Sequence, residues 1–305
     1  MSLANLATTF ANNLLPILLI SAGGFFMGRA TQIDPRPIGR AVFYLLSPAL
    51  VFNLLLNNRL PLGEASLTLL LAALVVAGMG IITLTISRLL HFDRQTTIAA
   101  MLAAMFANTG NYGLPLIAFA FGDATLAHAS LYFVATSILF NSVGVLIASL
   151  GHLDLRAALL GLLKVPVLYA VVIALTLSQT HISLPLPLER ALNQLASGAI
   201  PVMIILLGLE LSKVKWSGNL RNIGVVAGIR LLAGPLLGFG LAAAFGLPNP
   251  ARQSLIIDAA MPSAVNNTVL ANEYKLDTSF ITAVIFIGTV LSPLTLTPLL
   301  VFLGN

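Results

Sequence analysis

The sequence has no cysteine and very little charge. Without cysteine there can be no disulfide, no thiolate metal ligand and no thiol nucleophile. Lys, Arg, Asp and Glu make up 8% of the 305 residues, where a soluble domain carries about 25%. Hydrophobic residues make up 58%. So few charges cannot cover that apolar mass in water without leaving large exposed apolar patches. A water-soluble enzyme, a disordered chain and a nucleic-acid-binding domain are thereby excluded. The net charge of +5 is no sign of nucleic acid, because in a membrane protein a small basic excess marks cytoplasmic loops. No HExxH, GxSxG or P-loop pattern occurs, and the four histidines are scattered. The chain is therefore expected to be a non-enzyme without a metal site.

What the sequence does have is long apolar runs. A membrane helix needs about 20 mostly apolar residues. Ten such spans are expected, at 10–28, 37–57, 66–90, 95–121, 124–150, 157–178, 188–211, 219–245, 251–273 and 277–303. Met1 to Thr9 carries no positive charge, so the first span is not expected to be a cleaved signal peptide. The odd-numbered connections hold eleven basic residues: Arg29, Arg36, Arg40, Arg88, Arg94, Arg156, Lys164, Lys213, Lys215, Arg221 and Lys275. The even ones hold three, Arg59, Arg190 and Arg252, and Arg230 lies within a span. This bias puts the odd connections in the cytoplasm. Both termini are then expected on the outer or periplasmic side of the cell's inner (plasma) membrane.

Two spans are interrupted. The fourth carries Asn108-Thr109-Gly110-Asn111-Tyr112-Gly113-Leu114-Pro115, and the ninth Met261-Pro262-Ser263-Ala264-Val265-Asn266-Asn267-Thr268. Glycine is permissive, proline lacks an N–H and asparagine tolerates left-handed geometry, so neither stretch continues a regular helix. The breaks begin at Asn108 and Pro262, 154 residues apart, and the following spans open at Asp123 and Asp277 with the same spacing. The chain reads as two repeats, 1–150 and 151–305, each of five spans. Five is odd, so the second repeat enters the membrane from the opposite side. Unwound backbone in lipid costs several kcal/mol per unpaired group, so it survives where it faces a cavity or a ligand. Paired broken helices at corresponding positions point to a transporter site. The competing reading is ordinary proline kinking, which Pro16, Pro48, Pro166 and Pro201 satisfy singly.

At these residues the sequence resembles the auxin efflux carrier family, which includes the plant auxin exporters and bacterial permeases for malonate, malate and related acids. The resemblance covers the whole chain and rests on Asn108-Thr-Gly-Asn-Tyr-Gly-Leu-Pro-Leu116 and Met261-Pro-Ser-Ala-Val-Asn-Asn267. It implies an all-α membrane protein with the crossover fold of bile-acid symporters and NhaA-type antiporters. It further implies a scaffold of spans 1, 2, 6 and 7 and a mobile transport domain of spans 3–5 and 8–10. Family members are often homodimers through the scaffold. The missing long central loop favours a bacterial-type permease working by elevator-type alternating access. By the same resemblance Asn108, Thr109, Gly110, Asn111, Tyr112, Ser263, Val265, Asn266 and Asn267 are expected to bind a small organic anion. Their side chains could equally cap the half-helices.

Asp258 lies one turn before Pro262, near mid-span. A carboxylate there is costly unless paired or protonated, which suits H⁺ or Na⁺ coupling. A static pair with Arg230 is the alternative. Arg230 itself is a candidate for substrate binding, because a guanidinium suits carboxylates. Ser137 and Asn141 share one face of the fifth span with Thr136 and join Asp258 as ion-coupling candidates. Glu210 precedes Lys213 by three residues and reads as an interfacial pair. Lys164 reads as a snorkelling residue, and His128, one turn from the outer end, as a solvated or interfacial histidine rather than a proton relay. A channel or facilitative uniporter with the same fold, an intramembrane enzyme and a membrane sensor are the rival classes.

Overall fold

The computed structural model describes residues 2–58, 60–149, 165–180, 184–214 and 219–304. Arg59, Arg156, Lys164, Lys215 and the first part of the expected sixth span lie outside the described residues. The described chain is all helical. Seven helices are long and apolar enough to cross a membrane: α1 (Leu3–Thr31), α2 (Arg36–Asn58), α3 (Leu62–Leu89), α6 (Asp123–Ala148), α8 (Leu186–Leu211), α9 (Leu220–Ala244) and α12 (Thr278–Gly304). α7 (Pro166–Thr180) is apolar but shorter within the described residues. Each of the two interrupted spans is split in two. α4 (Arg94–Met105) is followed by α5 (Leu114–Phe121), and α10 (Ala251–Ala260) by α11 (Asn267–Glu273).

Polar residues set the helix starts. Asp93 caps α4, accepting from the Thr96 N–H at 2.9 Å and its hydroxyl at 2.6 Å. Those bonds hold the Asp93 carboxyl below the usual aspartate range. Asn219 accepts from the Arg221 N–H at the start of α9, and Asp277 from the Phe280 N–H at the start of α12.

Prolines leave a repeated mark inside the spans. π-turns occupy Phe10–Leu14, Val42–Leu46, Thr109–Gly113 and Ile229–Ala233. Each ends two residues before a proline: Pro16, Pro48, Pro115 and Pro235. A proline cannot donate to the carbonyl four residues back, and a wider turn accommodates the lost bond. A further π-turn, Phe140–Gly144, has no such proline.

The helices pack in two groups. α8 lies against α1 and α2, and α7 against α2. The α1–α8 contact is close because small residues face each other: a Cβ on Gly208 would strike the backbone of Ser21 and Phe25. Such contacts are the usual means of close helix approach in membranes. In the other group α3 packs on α4 and α6, α9 on α10 and α12, and α10 on α6. α8 also meets the Thr109–Gly113 turn, which brings the two groups together beside the first break.

Candidate functional site

The two breaks touch each other. Ala107 and Ser263 form an isolated antiparallel bridge. The Asn108 N–H donates to the Pro262 carbonyl at 2.7 Å, and the Ala264 N–H to the Phe106 carbonyl at 2.9 Å. Asn267 Nδ2 reinforces the junction, donating to the Phe106 carbonyl and to Ser263 Oγ, both at 3.1 Å. The backbone groups freed by unwinding are thus paired across the two segments, as burial demands.

A cavity of about 1080 Å³ lies over this junction. Its floor comes from both breaks: Asn108, Thr109, Gly110 and Asn111 from the first, Ala264, Val265 and Asn266 from the second. Thr136, Ser137 and Asn141 of α6 line one wall, and Glu210 of α8 another. Thr109 and Thr136 share a hydroxyl hydrogen bond at 3.2 Å. The mouth carries Arg36, Arg40 and Lys213, from the first and seventh connections.

The asparagines divide by role. Neither Asn108 nor Asn266 makes a side-chain cap bond to the turn it precedes. Asn108 Nδ2 is buried without a hydrogen-bond partner, and Asn266 is exposed in the cavity. These amides are therefore free to meet a ligand. Asn267 instead commits its Nδ2 to the junction, while its Oδ1 is buried without a partner.

Five expected site residues lie away from the cavity lining: Tyr112, Ser263, Asn267, Arg230 and Asp258. Tyr112 is buried and shares a 3.1 Å hydrogen bond with Ser292 of α12. Arg230 is 1% exposed and forms no ion pair with Asp258. Its Nε donates to the Met261 carbonyl at 2.7 Å, Nη1 to the Ala104 carbonyl at 3.0 Å, and Nη2 to the Ala259 carbonyl. Those carbonyls belong to the final turns of α4 and α10 and the residue beyond, the negative ends of two helix dipoles. Arg230 is seated there because α9 bulges at Ile229–Ala233, and because Gly234 has no Cβ to strike the Ala259 carbonyl.

Asp258 is fully buried on the other side of the junction. Its Oδ2 accepts from Ser254 Oγ at 3.1 Å, and Oδ1 has no hydrogen-bond partner. A Cβ on Gly113 would meet Oδ1 at 3.1 Å, so that glycine gives the carboxyl its room. Ser137 and Asn141 do line the large cavity with Thr136, but Asp258 does not join them.

Two residues depart from their expected surroundings. Glu210 forms no ion pair with Lys213, which reaches Gln32 at 3.5 Å instead. The Asn111 side chain reaches the Glu210 carboxyl, whose Oε2 is buried without a partner. Sequence spacing favoured the nearby lysine, and only the packing of α8 on the first break reveals the other contact. His128 is not solvated. It is 2% exposed and pairs through Nε2 with Glu64 Oε2 at 3.5 Å.

Residues 9–300 match the family model described as membrane transport protein. An uncharacterized transporter of Methanothermobacter thermautotrophicus is 27% identical over 284 residues, covering 91% of this chain and 93% of the relative. Another, from Methanocaldococcus jannaschii, is 25% identical over 92% of this chain and 94% of its own length. A Rhizobium meliloti protein, named with a proposed role as a malonate transporter, is 25% identical over 85% of this chain and 84% of its own length. The chain is a multi-pass membrane protein, and it belongs to the membrane transport protein family of auxin efflux carriers, whose members are transporters and not enzymes.

Proposed function

We propose that the protein is a secondary transporter of small organic anions, mono- or dicarboxylates such as malonate, working by elevator-type alternating access. The observation that carries this reading is the cavity floored by two unwound segments, with the Asn108 amide unpartnered at its base. Amide donors, the N-terminal ends of the second half-helices and basic residues at the mouth form a surface suited to carboxylates. The malonate assignment of the Rhizobium meliloti relative supports the same cargo.

The architecture behind this reading has ten spans in two inverted repeats, with the broken fourth and ninth crossing at the centre. Helix order supports it: α2, α3, α4, α5 and α6 are followed in the second half by α8, α9, α10, α11 and α12 in the same sequence of types. The packing group of α1, α2, α7 and α8 is the scaffold and the site of homodimer contact. The remaining helices are the transport domain. By the distribution of Lys and Arg, the large cavity faces the cytoplasm and both termini face outward.

Uptake of labelled malonate into proteoliposomes, with pH and Na⁺ gradients imposed separately, tests this function. Uptake above protein-free liposomes, driven by a gradient, is expected. No uptake of any small mono- or dicarboxylate would overturn the cargo.

A further inference from the structure

A second, smaller cavity of about 220 Å³ lies across the junction from the first. It is bounded by the start of α3, the start of α6 and the Leu247–Ala251 connection, which the charge distribution places on the outer face. Its polar lining includes Glu64, Thr68, His128, Tyr132, Asn249 and Ser254. Glu64 is half exposed at its mouth and pairs with the buried His128. His128 Nδ1 is buried without a partner. At its inner end Ser254 donates to Asp258, whose other oxygen is unpartnered.

We propose that this cavity is the proton entrance to Asp258. The inference rests on the transporter reading above and supplies the ion route for it. A proton taken up by the Glu64 carboxylate passes to His128 Nε2. The imidazolium releases its Nδ1 proton into the cavity, where polar groups can hold a water. Ser254 accepts that proton on Oγ as it gives its own to Asp258 Oδ2. Glu64 and Ser254 thus end in their starting forms and one proton has moved. His128 is left as its Nε2–H tautomer, which must return to the Nδ1–H form before the next transfer. Histidine fits this task because its charge changes near physiological pH. The groups facing the route are few: Glu64 from α3, Tyr132 on the helix of His128, and Arg230 of α9, which with Asp258 lies near enough to Tyr132 to act on it electrostatically.

The chemistry favours a proton over a metal cation. Among the described residues no group of three His, Cys, Asp or Glu side chains is placed to hold a metal ion. Three carbonyls beside the junction, those of Ala104, Ala259 and Met261, are taken by the fixed positive charge of Arg230. Substrate and proton would then reach the junction from opposite faces, the substrate from the large cavity and the proton from the small one.

The test is infrared difference spectroscopy on the full chain in oriented liposomes, after a pH step on one side. The carboxylic band absent from Asp258→Asn is followed over time. It is expected to answer a step on the outer face. His128→Gln and Glu64→Gln should each slow that response by about a hundredfold, the lower end of what a positioned proton-transfer group contributes. Glu64 is exposed, so its variant keeps the fold and stands independently of any packing loss at His128. A band that answers only to the inner face, or is unaffected by both variants, would overturn the proposal. The readout needs no substrate, so a failure of malonate uptake would count against the cargo alone.

Discussion

Arg230 and Met261 are joined by a 2.7 Å hydrogen bond from the guanidinium Nε to the backbone carbonyl. The same side chain reaches Ala104 and Ala259, so one fixed charge ties together the ends of two broken helices. Each hydrogen bond from a charged donor is worth about 1.5–3 kcal/mol, and an unpaired buried carbonyl adds its own penalty. Arg230→Met is therefore expected to destabilise the protein by at least about 3 kcal/mol. Arg230→Lys should recover only part of this, because an ammonium lacks the planar fork that spans three acceptors. Thermal unfolding in detergent checks both.

The same seat bears on ion coupling. Three of the junction carbonyls, those of Ala104, Ala259 and Met261, are bound to a permanent cation, which disfavours sodium beside them. Replacing Na⁺ by choline on both sides should leave transport unchanged, while abolishing the pH gradient should slow it. Loss of uptake in choline would contradict the assignment.

Asn108 and Asn267 should fail in opposite ways. The Asn108 amide nitrogen has no partner, so Asn108→Ala should leave stability within about 0.5 kcal/mol of wild type. It should still weaken substrate binding at least about tenfold through loss of a hydrogen bond to a charged ligand. Asn267 donates twice across the junction, and Asn267→Ala should cost about 1–3 kcal/mol of stability. Unfolding and substrate-concentration curves on the two variants separate the effects.

Glu210 places a carboxyl group in a cavity proposed for anions. At a pH where that carboxyl is ionised, replacing it by glutamine removes a negative charge worth about 1 kcal/mol to an anion at contact distance in water. Glu210→Gln should thus lower the half-saturating malonate concentration about fivefold. An unchanged or higher value would mean the carboxyl does not face the substrate.

The breaks were legible because asparagine, glycine and proline cluster inside otherwise apolar spans, and lipid tolerates such clusters only for a reason. Proline accounts for four of the five π-turns among the described residues, through the bond each denies to the residue four back, although the sequence alone predicts only ordinary kinks. The seat of Arg230 was not legible, since its acceptors are backbone carbonyls, which leave no trace in residue type. Glu210 was misplaced by its spacing from Lys213, a local pattern that packing of α8 on the first break overrides. His128 looked solvated from its place near a helix end, but Glu64, 64 residues away, comes over it. Tyr112 and Ser263 sit within the right motifs yet turn into the protein rather than the cavity.

The absence of cysteine makes the decisive measurement simple, because an introduced thiol is the sole target. Val265 lines the large cavity on the second break. Val265→Cys in oriented proteoliposomes should react with a membrane-impermeant maleimide from the cytoplasmic face, and malonate or a related carboxylate should slow the reaction. Labelling from the outer face alone, or labelling that every small carboxylate leaves unchanged, would contradict a substrate site at the junction.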